Sequence, residues 1–595
     1  IFFRQMSRYV GLAGGAIIEH KLVQHGVKHV FGYSGGAILP ALDGLYGSSV
    51  EFIQTANEQC AGHIAEGYAK ASGKPGMIMT TSGPGTTNLI TPFQDALNDT
   101  VPMIAFTGQV PTTAMGTCAF QECPTIELTR PCTKWAYQLK NIDELPSIID
   151  KAFFVAQDGK KGPVVIDLPK DVISDTIKSD NIPEFVPPTD KPHLSGPRYE
   201  GDIDAIVNLL NGAKRPIIIA GNGCLHCPDE LKELAEKANC PVTTTLHGMG
   251  AFDELHPLSM QMLGMHGAAY ANLAVQAADL IIGIGYRFDD RTTGVISKYA
   301  PEARKAEAEG RGGIIHFDIE PSQIDKVIKT THSVVGDAEY AMKDMIPLVE
   351  FKERRDWMEQ IQEWREENPF SYQKHEGGCP KTQEVIHAIY NHSKHLQPFV
   401  STGVGNHQMM SCQFFRWTKP RQILSSGSLG TMGVGLPFAI GAQFAFPDQT
   451  CIVIDGDGSF NMTNSELYSI AKYNLPVKIA IMNDSRQQMV YVWQKLFFDK
   501  RYIGTDNSNP DYCKLAEAWG IPSVYCDSSA GLDAAVDKWL NTDGPCLAEF
   551  KVVPDICLPM VAPGKALDEM IINRDNNMNS VRILSYVPKD GLAPS

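Results

Sequence analysis

The sequence predicts an α/β protein that consists of three doubly wound parallel-sheet domains. Short apolar runs alternate with helix-like runs along most of the chain, and this spacing is typical of parallel βαβ units. Two stretches rich in Pro or Gly interrupt the alternation and divide the 595 residues into three parts. A chain of this length is sufficient for three or four domains, each with its own core.

The first region, residues 10–172, places helix-like runs such as Ala61–Ala71 between predicted strands. These strands are Val27–Tyr33, Met77–Ser82, Pro102–Gly108 and Pro163–Leu168. Residues 173–198 follow, and their five prolines predict a linker.

The second region, residues 199–350, and the third, residues 382–560, repeat the pattern. Their predicted strands are Arg215–Ala220, Asp279–Gly285, Gly313–Asp318, Cys451–Asp455 and Val477–Asn483. Between the two regions, residues 351–381 read as a charged helix followed by a linker. The polar tail, residues 561–595, is expected to be a loop or a lid.

Composition excludes several classes of protein. The formal charge is −16, and no basic block is present, so a nucleic-acid-binding protein is not expected. The uncharged stretch Ser425–Pro447 is long enough to span a bilayer, but its glycines and Pro437 favour a helix packed inside the protein. The 14 cysteines are scattered, and Cys224 and Cys227 lack the second pair that a zinc ribbon needs. Free thiols fit a reducing compartment.

The most informative segment follows the predicted strand Cys451–Asp455. Asp457 stands in a Gly-Asp-Gly turn, and Asp484 follows the next strand 27 residues later. Thr463-Asn464-Ser465-Glu466 between them predicts a capping box that opens a helix. Both carboxylates are expected at the carboxyl ends of neighbouring parallel strands, where ligands of α/β sheets bind, and they suit Mg²⁺ bridging a diphosphate. The simpler alternative is an Asp-Gly turn with a surface carboxylate.

This pair of motifs resembles the thiamin diphosphate motif, and further segments resemble the acetohydroxyacid synthase (acetolactate synthase) family. The similarity extends over about residues 11–571, and Glu309–Phe317 is most similar to fungal forms. The other matching segments are Phe31–Pro40, Thr81–Gly85, Phe106–Pro111, Ala119–Glu122, Asp167–Asp171, Leu263–Gly267, Arg287–Arg291 and Gly430–Gly433.

The resemblance implies a pyrimidine-binding first domain, a central FAD-binding domain and a diphosphate-binding third domain. The implied cofactors are thiamin diphosphate, Mg²⁺ and a structural FAD. The implied reaction decarboxylates pyruvate and ligates the hydroxyethyl carbanion to pyruvate or 2-ketobutyrate. The products are 2-acetolactate or 2-aceto-2-hydroxybutyrate, precursors of branched-chain amino acids.

The resemblance also assigns residues to roles. Glu58 is implied to activate the aminopyrimidine, Met432 to bend the cofactor, and Gln121 and Gly36 to line the reacting carbon. The remaining thiamin diphosphate contacts are Tyr33, Pro84, Asn88, Val404, Gly405, Asn406, His407, Gly430, Gly458, Ser459 and Met489, with Asp457, Asp484 and Arg486 at the metal. The flavin contacts are Lys160, Gly221, Gly223, Thr245, Leu246, Met265, His266, Gly285, Arg287, Asp289, Arg291, Asp318 and Asp337. The substrate contacts are Phe120, Lys170, Val490 and Trp493, and Arg291 is implied to hold the acceptor carboxylate.

Several of these residues have simpler interpretations. A glutamate at a helix start, such as Glu58, is favoured by the helix dipole. Met432 and Trp493 suit ordinary core packing. Gly221 and Gly223 suit an α/β domain that binds nothing.

The chain departs from the family pattern at positions close to the cofactor. A diverged paralogue with another acceptor, an impaired binding or regulatory homologue, and a flavin-redox enzyme similar to pyruvate oxidase therefore stay open. The departures are Ser34 for Pro, Asn57 for His, Cys60 for Gly, Cys118 for Asp, Lys160 for Arg, Asp484 for Asn, Gln488 for Gly, and Ser485-Arg486 for Glu-Glu.

The resemblance further implies partners and a location. Small 2-ketoacids are the expected substrates, and a homodimer or homotetramer is the expected assembly. A separate regulatory subunit is possible according to the resemblance. No nucleic acid or membrane partner is expected. A fungal-type enzyme is expected in mitochondria after removal of a presequence, with the cytoplasm as the alternative. The sequence starts at Ile1, which leaves a preceding targeting segment undecided.

Overall fold

The computed structural model describes residues 9–178, 182–188 and 198–573, together with the backbone of 581–584. The predicted α/β architecture is confirmed, since three mainly parallel sheets of six, seven and six strands are each flanked by helices. Part of the predicted linker, including Pro192 and Pro197, lies outside the described residues. The start of that linker belongs to the first domain, because a helix continues to Ser174 and Thr176 bridges to Ala13.

The first sheet has the strand order β2-β1-β3-β4-β6-β5, and all its neighbours are parallel. Its strands are β1 (His29–Tyr33), β2 (Glu51–Gln54), β3 (Gly76–Thr80), β4 (Met103–Gln109), β5 (Trp135–Gln138) and β6 (Pro163–Pro169). Its helices are α1 (Gly14–Gln24), α2 (Leu39–Asp43), α3 (Glu58–Ser72), α4 (Pro84–Thr87), α5 (Ile90–Asp99), α6 (Thr125–Thr129), α7 (Leu145–Gln157) and α8 (Lys170–Ser174).

The second sheet has the order β10-β9-β8-β11-β12-β13-β7, in which only the β13–β7 pair is antiparallel. Its strands are β7 (Tyr199–Glu200), β8 (Pro216–Ala220), β9 (Val242–Thr244), β10 (Ser259–Met262), β11 (Leu280–Ile284), β12 (Gly313–Asp318) and β13 (His332–Gly336). Its helices are α9 (Ile203–Gly212), α10 (Pro228–Ala238), α11 (Ala269–Ala277), α12 (Asp290–Thr293), α13 (Pro301–Ala308) and α14 (Ala338–Met345), followed by α15 (Arg355–Glu367).

The third sheet repeats the order of the first, as β15-β14-β16-β17-β19-β18, again all parallel. Its strands are β14 (Phe399–Thr402), β15 (Ile423–Leu424), β16 (Cys451–Gly456), β17 (Lys478–Asn483), β18 (Ser523–Cys526) and β19 (Cys546–Lys551). Its helices are α16 (Thr382–Ser393), α17 (Asn406–Phe414), α18 (Gly435–Ala445), α19 (Asp457–Phe460), α20 (Leu467–Tyr473), α21 (Gln488–Phe497), α22 (Tyr512–Ala518) and α23 (Leu532–Asn541).

The prediction of an irregular tail is wrong for the residues that the structure describes. Three antiparallel strands, β20 (Met560–Val561), β21 (Met570–Asn573) and β22 (Val581–Leu584), form a small sheet. Leu567 and Met570 are fully buried and pack into a core of the second domain. The tail therefore docks on the central domain through apolar side chains that its polar average composition conceals.

The first and third domains share one hydrophobic core, in which α3 crosses α18. A Cβ atom at Gly67 would lie 2.4 Å from the Cα of Phe438, and one at Gly441 would lie 2.0 Å from the carbonyl oxygen of Ile64. Glycine is therefore required at both positions for the two backbones to approach. The prediction that Ser425–Pro447 contains a helix packed inside the protein is confirmed. None of the described helices is long and apolar enough to cross a bilayer.

The predicted capping box at Thr463–Glu466 is wrong. The Thr463 hydroxyl donates to the carbonyl of Gly433 at 2.7 Å and makes no cap. The Glu466 carboxylate accepts from the backbone N–H of Ala56 in the first domain at 2.9 Å. These contacts between distant segments replace the local bonds that the motif predicts, and a short 3₁₀ turn precedes α20 instead.

Candidate active site

A cavity of about 760 Å³ lies where the three domains meet. The first domain contributes the C-terminal end of α3 and the turn Gly159–Lys161. The third domain contributes residues 425–430 and the α21 side chains of Met489, Val490 and Trp493. A site between domains of this size suits a dinucleotide or a comparable ligand.

Most residues implied to contact flavin border this cavity. Gly221 is the exception, because its Cα packs on the carbonyl of Gly285, where a Cβ would lie 2.0 Å from the oxygen. Gly221 thus serves a close backbone contact inside the protein. The flavin-assigned residues that line the cavity are Lys160, Gly223, Thr245, Leu246, Met265, His266, Gly285, Arg287, Asp289, Arg291, Asp318 and Asp337.

The charges of the cavity suit a ligand that carries phosphates and ribose hydroxyls. Burial lowers the pKa of Lys160, and the nearby Arg287 lowers it further. Burial also raises the pKa of Asp318, at the end of β12, to about 6. In the described part of the chain, the buried Nδ1 of His266 has no hydrogen-bond partner. A flavin dinucleotide would place its phosphates near cations and a ribose hydroxyl near an acid at a strand end. This cavity supplies both kinds of group, together with an unpaired polar atom.

The residues assigned to the diphosphate lie at the topological switch point of the third sheet, between β14 and β16. Val404 to His407 follow β14 and lead into α17, which begins at Asn406. Asp457, Gly458 and Ser459 follow β16 on the neighbouring side. The backbone N–H groups at the start of α17 provide a binding position for an anion. Asn406 Oδ1 is buried there and has no partner among the described residues.

Asp457 and Asp484 approach each other at this edge, as the sequence predicts. Burial raises the pKa of Asp484 to about 7, and the charge of Asp457 is the next cause. Arg486 and Lys551 offset part of that effect. The Arg486 side chain turns away, with its guanidinium 4.3 Å over the ring of Tyr491, and its backbone N–H donates to Asp484 at 3.1 Å. Two adjacent carboxylates with little neutralising charge fit a divalent cation.

The remaining site residues of the first domain gather at the edge where Tyr33 ends β1. Glu58 is the first residue of α3, and the Asn88 amide donates to its carboxylate at 2.9 Å. Gln121 is adjacent to Gly83, since a Cβ at this glycine would be 3.0 Å from the Gln121 side chain. Gly36, Pro84 and Lys170 are exposed at the surface of this domain, and Phe120 is 89% exposed.

Within one chain, this edge is separate from the cavity. The cavity contacts α3 near Lys70 and Gly73, whereas Glu58 is at the opposite end of this 15-residue helix. At 1.5 Å per residue, the two ends are roughly 20 Å apart. The favourable dipole position of Glu58 at the helix start is also present, so the geometry is compatible with both interpretations.

Met432 is half-buried and does not border the cavity, although Gly430 does. The N–H of Gly433 donates to the Ser459 hydroxyl at 2.8 Å, which ties the Met432 segment to the end of β16. A Cβ at Gly458 would lie 2.4 Å from the Gln487 side chain, so this glycine leaves room for a neighbouring amide.

The sequence analysis missed the group that anchors the loop Ser425–Thr431. Two backbone N–H groups of this loop donate to the buried carboxylate of Asp99 at 3.0 and 3.3 Å. Lys70 and His247 also contact Asp99, at 2.7 and 3.0 Å. Arg287 of the central domain donates to a loop hydroxyl at 2.6 Å. No local pattern indicates this group, because its members come from three domains.

Comparison with known proteins assigns the same three parts. The family model of the thiamine pyrophosphate enzyme N-terminal TPP binding domain matches residues 12–128, the central domain 203–345, and the C-terminal TPP binding domain 403–550. The mitochondrial acetolactate synthase catalytic subunit of Saccharomyces cerevisiae is 47% identical over 581 residues, covering 95% of this chain and 84% of the relative. The chain belongs to the acetolactate synthase family.

Two further acetolactate synthases are similar to this chain over most of its length. The mitochondrial acetolactate synthase catalytic subunit of Aspergillus candidus is 46% identical over 585 residues, with 95% of this chain and 84% of the relative covered. The chloroplastic acetolactate synthase 1 of Nicotiana tabacum is 36% identical over 583 residues, with 94% and 85% covered. The first and third domains are therefore thiamin diphosphate-binding domains. The chain is a thiamin diphosphate-dependent enzyme of the acetolactate synthase type.

One departure from the acetolactate synthase pattern has a direct electrostatic consequence. Asp484, where the resemblance implies Asn, adds a negative charge next to Asp457, and at about 4 Å and an effective dielectric of about 20 this amounts to about 4 kcal/mol. We expect Asp484→Asn to bind thiamin diphosphate roughly tenfold more tightly at saturating Mg²⁺, or about 1.4 kcal/mol. Titration of both cofactor-free proteins at pH 8, where Asp484 is ionised, measures this difference. Equal or weaker binding by the Asn variant would show that Lys551 and Arg486 already compensate the charge.

Proposed function

We propose that this chain is the catalytic subunit of an acetolactate synthase. It decarboxylates pyruvate and joins the remaining two-carbon unit to a second 2-ketoacid, releasing one CO₂ per product. The products are 2-acetolactate from pyruvate and 2-aceto-2-hydroxybutyrate from 2-ketobutyrate, which serve branched-chain amino acid biosynthesis. The observation that carries the proposal is that most flavin-assigned residues border one cavity together with Val404, Gly430 and Met489 of the thiamin diphosphate set and with Trp493.

Thiamin diphosphate, when bound, supplies the acidic carbon that adds to pyruvate. The chain's own contribution is to position and activate this group. Glu58 would accept a hydrogen bond from the aminopyrimidine, while Asn88 holds the carboxylate at 2.9 Å. Asp457 and Asp484 would hold Mg²⁺ through carboxylate oxygens, and the cation would neutralise the diphosphate.

We assign FAD a structural role in the central cavity. Arg287 reaches both the loop Ser425–Thr431 and the cavity, so a bound dinucleotide would stabilise the loop that carries Gly430. FAD is expected to copurify without serving as an oxidant. Reconstitution with a reduced or deaza analogue is expected to preserve carboligation, and loss of activity would contradict the structural role.

The functional unit is a homodimer at least, with a homotetramer as the larger alternative. The support is that Glu58 and the edge of the cavity are roughly 20 Å apart along α3 within one chain, while Phe120 beside Gln121 is 89% exposed. A second subunit would bring the two edges together and cover this side chain. Sedimentation of the active enzyme is expected to show a dimer or tetramer, and an active monomer would contradict the assignment.

The names of the fungal relatives support two further assignments. They are described as catalytic subunits and as mitochondrial. We therefore assign this chain a separate regulatory partner and a mitochondrial location. Copurification of this chain with a second subunit from isolated mitochondria tests both assignments.

The experiment that tests the activity itself is a product assay with purified protein, pyruvate, thiamin diphosphate, Mg²⁺ and FAD. Formation of 2-acetolactate without an electron acceptor is expected. Turnover that requires an electron acceptor and yields acetate or acetyl phosphate would indicate a flavin-redox enzyme similar to pyruvate oxidase. Cofactor binding without turnover would indicate a binding or regulatory homologue.

Trp493 is the residue to which we assign selection of the acceptor. It borders the cavity together with Met265 and Arg291, and its ring lies 5.4 Å from that of Phe497. Trp493→Leu is expected to lower the preference for 2-ketobutyrate over pyruvate about tenfold, because one methylene is worth about 1–3 kcal/mol in an apolar pocket. Competition assays measure the product ratio. Phe497→Leu is the control, since Phe497 does not border the cavity; an unchanged ratio in the Trp493 variant would favour mere core packing.

A further inference from the structure

We infer that Asn509, assisted by Asn507, positions Asp457 as a ligand for the magnesium ion, an inference that rests on the proposed function. The Asn509 amide donates to Asp457 Oδ2 at 2.6 Å, and the Asn507 amide donates to the same oxygen at 3.1 Å. No other side chain in the described part of the chain donates to this carboxylate, though backbone N–H groups of Asp457 and Gly458 contribute. Both amides therefore engage one oxygen and leave Oδ1 for a cation.

Asn509 also connects the two strand ends that carry the carboxylates. Its amide lies 3.0 Å from Oδ1 of Asn483, the last residue of β17, which directly precedes Asp484. Its own Oδ1 accepts from Asn461 at 2.9 Å, and the Tyr512 hydroxyl donates to Asn461 at 2.9 Å. Every polar atom of the Asn509 side chain is thus engaged, and this fixes the direction of its amide.

The segment that carries both asparagines is attached to the turn between β17 and α21. The N–H of Gln487 donates to the carbonyl of Thr505 at 2.7 Å, and the N–H of Asn507 donates to the carbonyl of Ser485 at 2.9 Å. The Gln487 side chain donates to Asn507 Oδ1 at 3.1 Å. These backbone contacts therefore direct both amides toward Asp457.

Groups that hydrogen-bond to a metal ligand fix its rotamer, and removing them typically weakens metal binding by 10- to 100-fold. Asp457 is 2% exposed, so water does not replace a lost amide easily. The role differs from that of a ligand, because the amide nitrogens cannot coordinate the cation. Asn509 and Asn507 are accordingly positioning residues.

The test titrates Mg²⁺ into the full chain after removal of metal by a chelator, at saturating thiamin diphosphate, with binding followed by calorimetry and tryptophan fluorescence. We expect Asn509→Ala to weaken the apparent Mg²⁺ affinity about 10- to 100-fold. Asn507→Ala is expected to have a smaller effect, because it removes only the longer bond and leaves the link to Asn483. Asn541→Ala is the matched control, since it removes a 2.9 Å amide–carboxylate bond to Asp537 on the surface.

Far-ultraviolet circular dichroism and thermal unfolding accompany each titration. A folded Asn509→Ala protein with the parent Mg²⁺ affinity would overturn the inference. If that variant does not fold, Asn507→Ala decides, and an affinity equal to that of the Asn541 control would overturn it. A parent protein that binds no thiamin diphosphate in the presence of Mg²⁺ would instead contradict the proposed function.

Discussion

Glu58→Gln is expected to lower the rate of 2-acetolactate formation by about 10²- to 10⁴-fold, with little change in folding. The Asn88 amide donates to this carboxylate at 2.9 Å, and in the proposed function the carboxylate exchanges a proton with the pyrimidine. Glutamine keeps the size of the side chain but removes the charge that general acid–base catalysis needs. Steady-state turnover and thermal unfolding are measured together, because a small change in stability must be separated from a loss of chemistry.

Glu230→Gln is the matched control, since Glu230 also stands in the first turn of a helix, α10. Both substitutions remove a favourable interaction with a helix dipole, but only the first removes the proposed catalytic group. A turnover of Glu58→Gln within a few-fold of the parent would leave Glu58 with the dipole role alone.

Asp99→Ala is expected to destabilise the protein by about 3–5 kcal/mol, the usual effect of breaking a buried ion pair. Asp99 is 3% exposed and accepts from Lys70, His247 and two N–H groups of the loop Ser425–Thr431. Its removal would leave these donors buried without their acceptor. Urea unfolding measures the free energy of unfolding. An increase in the fluorescence of the proposed FAD measures loosening of the cavity.

The same carboxylate predicts how stability depends on pH. Burial alone would raise the pKa of Asp99, but His247 and Lys70 outweigh it and hold the pKa well below its usual range. A depressed pKa stabilises the fold at neutral pH, and that contribution is lost as pH falls through the folded-state value. Asp499→Ala, which breaks an exposed pair with Arg501, is expected to leave stability unchanged. Equal effects of the two substitutions would contradict the role of Asp99.

The sequence predicted those features that local patterns encode. Buried parallel strands such as Gly313–Asp318 are continuous apolar runs, and their spacing identifies the βαβ units. The approach of Asp457 and Asp484 followed from the rule that parallel strands end at one edge of a sheet. The roles of the other assigned residues came from the family resemblance and stay predictions.

The sequence did not predict features that depend on distant segments. Thr463 and Glu466 have the pattern of a capping box, yet each bonds to a partner far away in the chain. In the sequence, no feature distinguishes Asp99 from other acids at helix ends. Its role depends on Lys70 and His247, which lie beside it only in the folded chain. Asn509 belongs to an irregular stretch, where no periodicity indicates which way an amide points.

The glycine contacts between α3 and α18 make the first and third domains a single mechanical and folding unit. Gly67 and Gly441 allow the helices to touch along their backbones, so separating the domains would expose the apolar core that they share. Neither domain is therefore expected to be soluble when expressed alone. Cleavage of the chain between domains would yield fragments that stay associated. The central domain, which begins at β7 and ends with α14, would act as an insertion within one structural body.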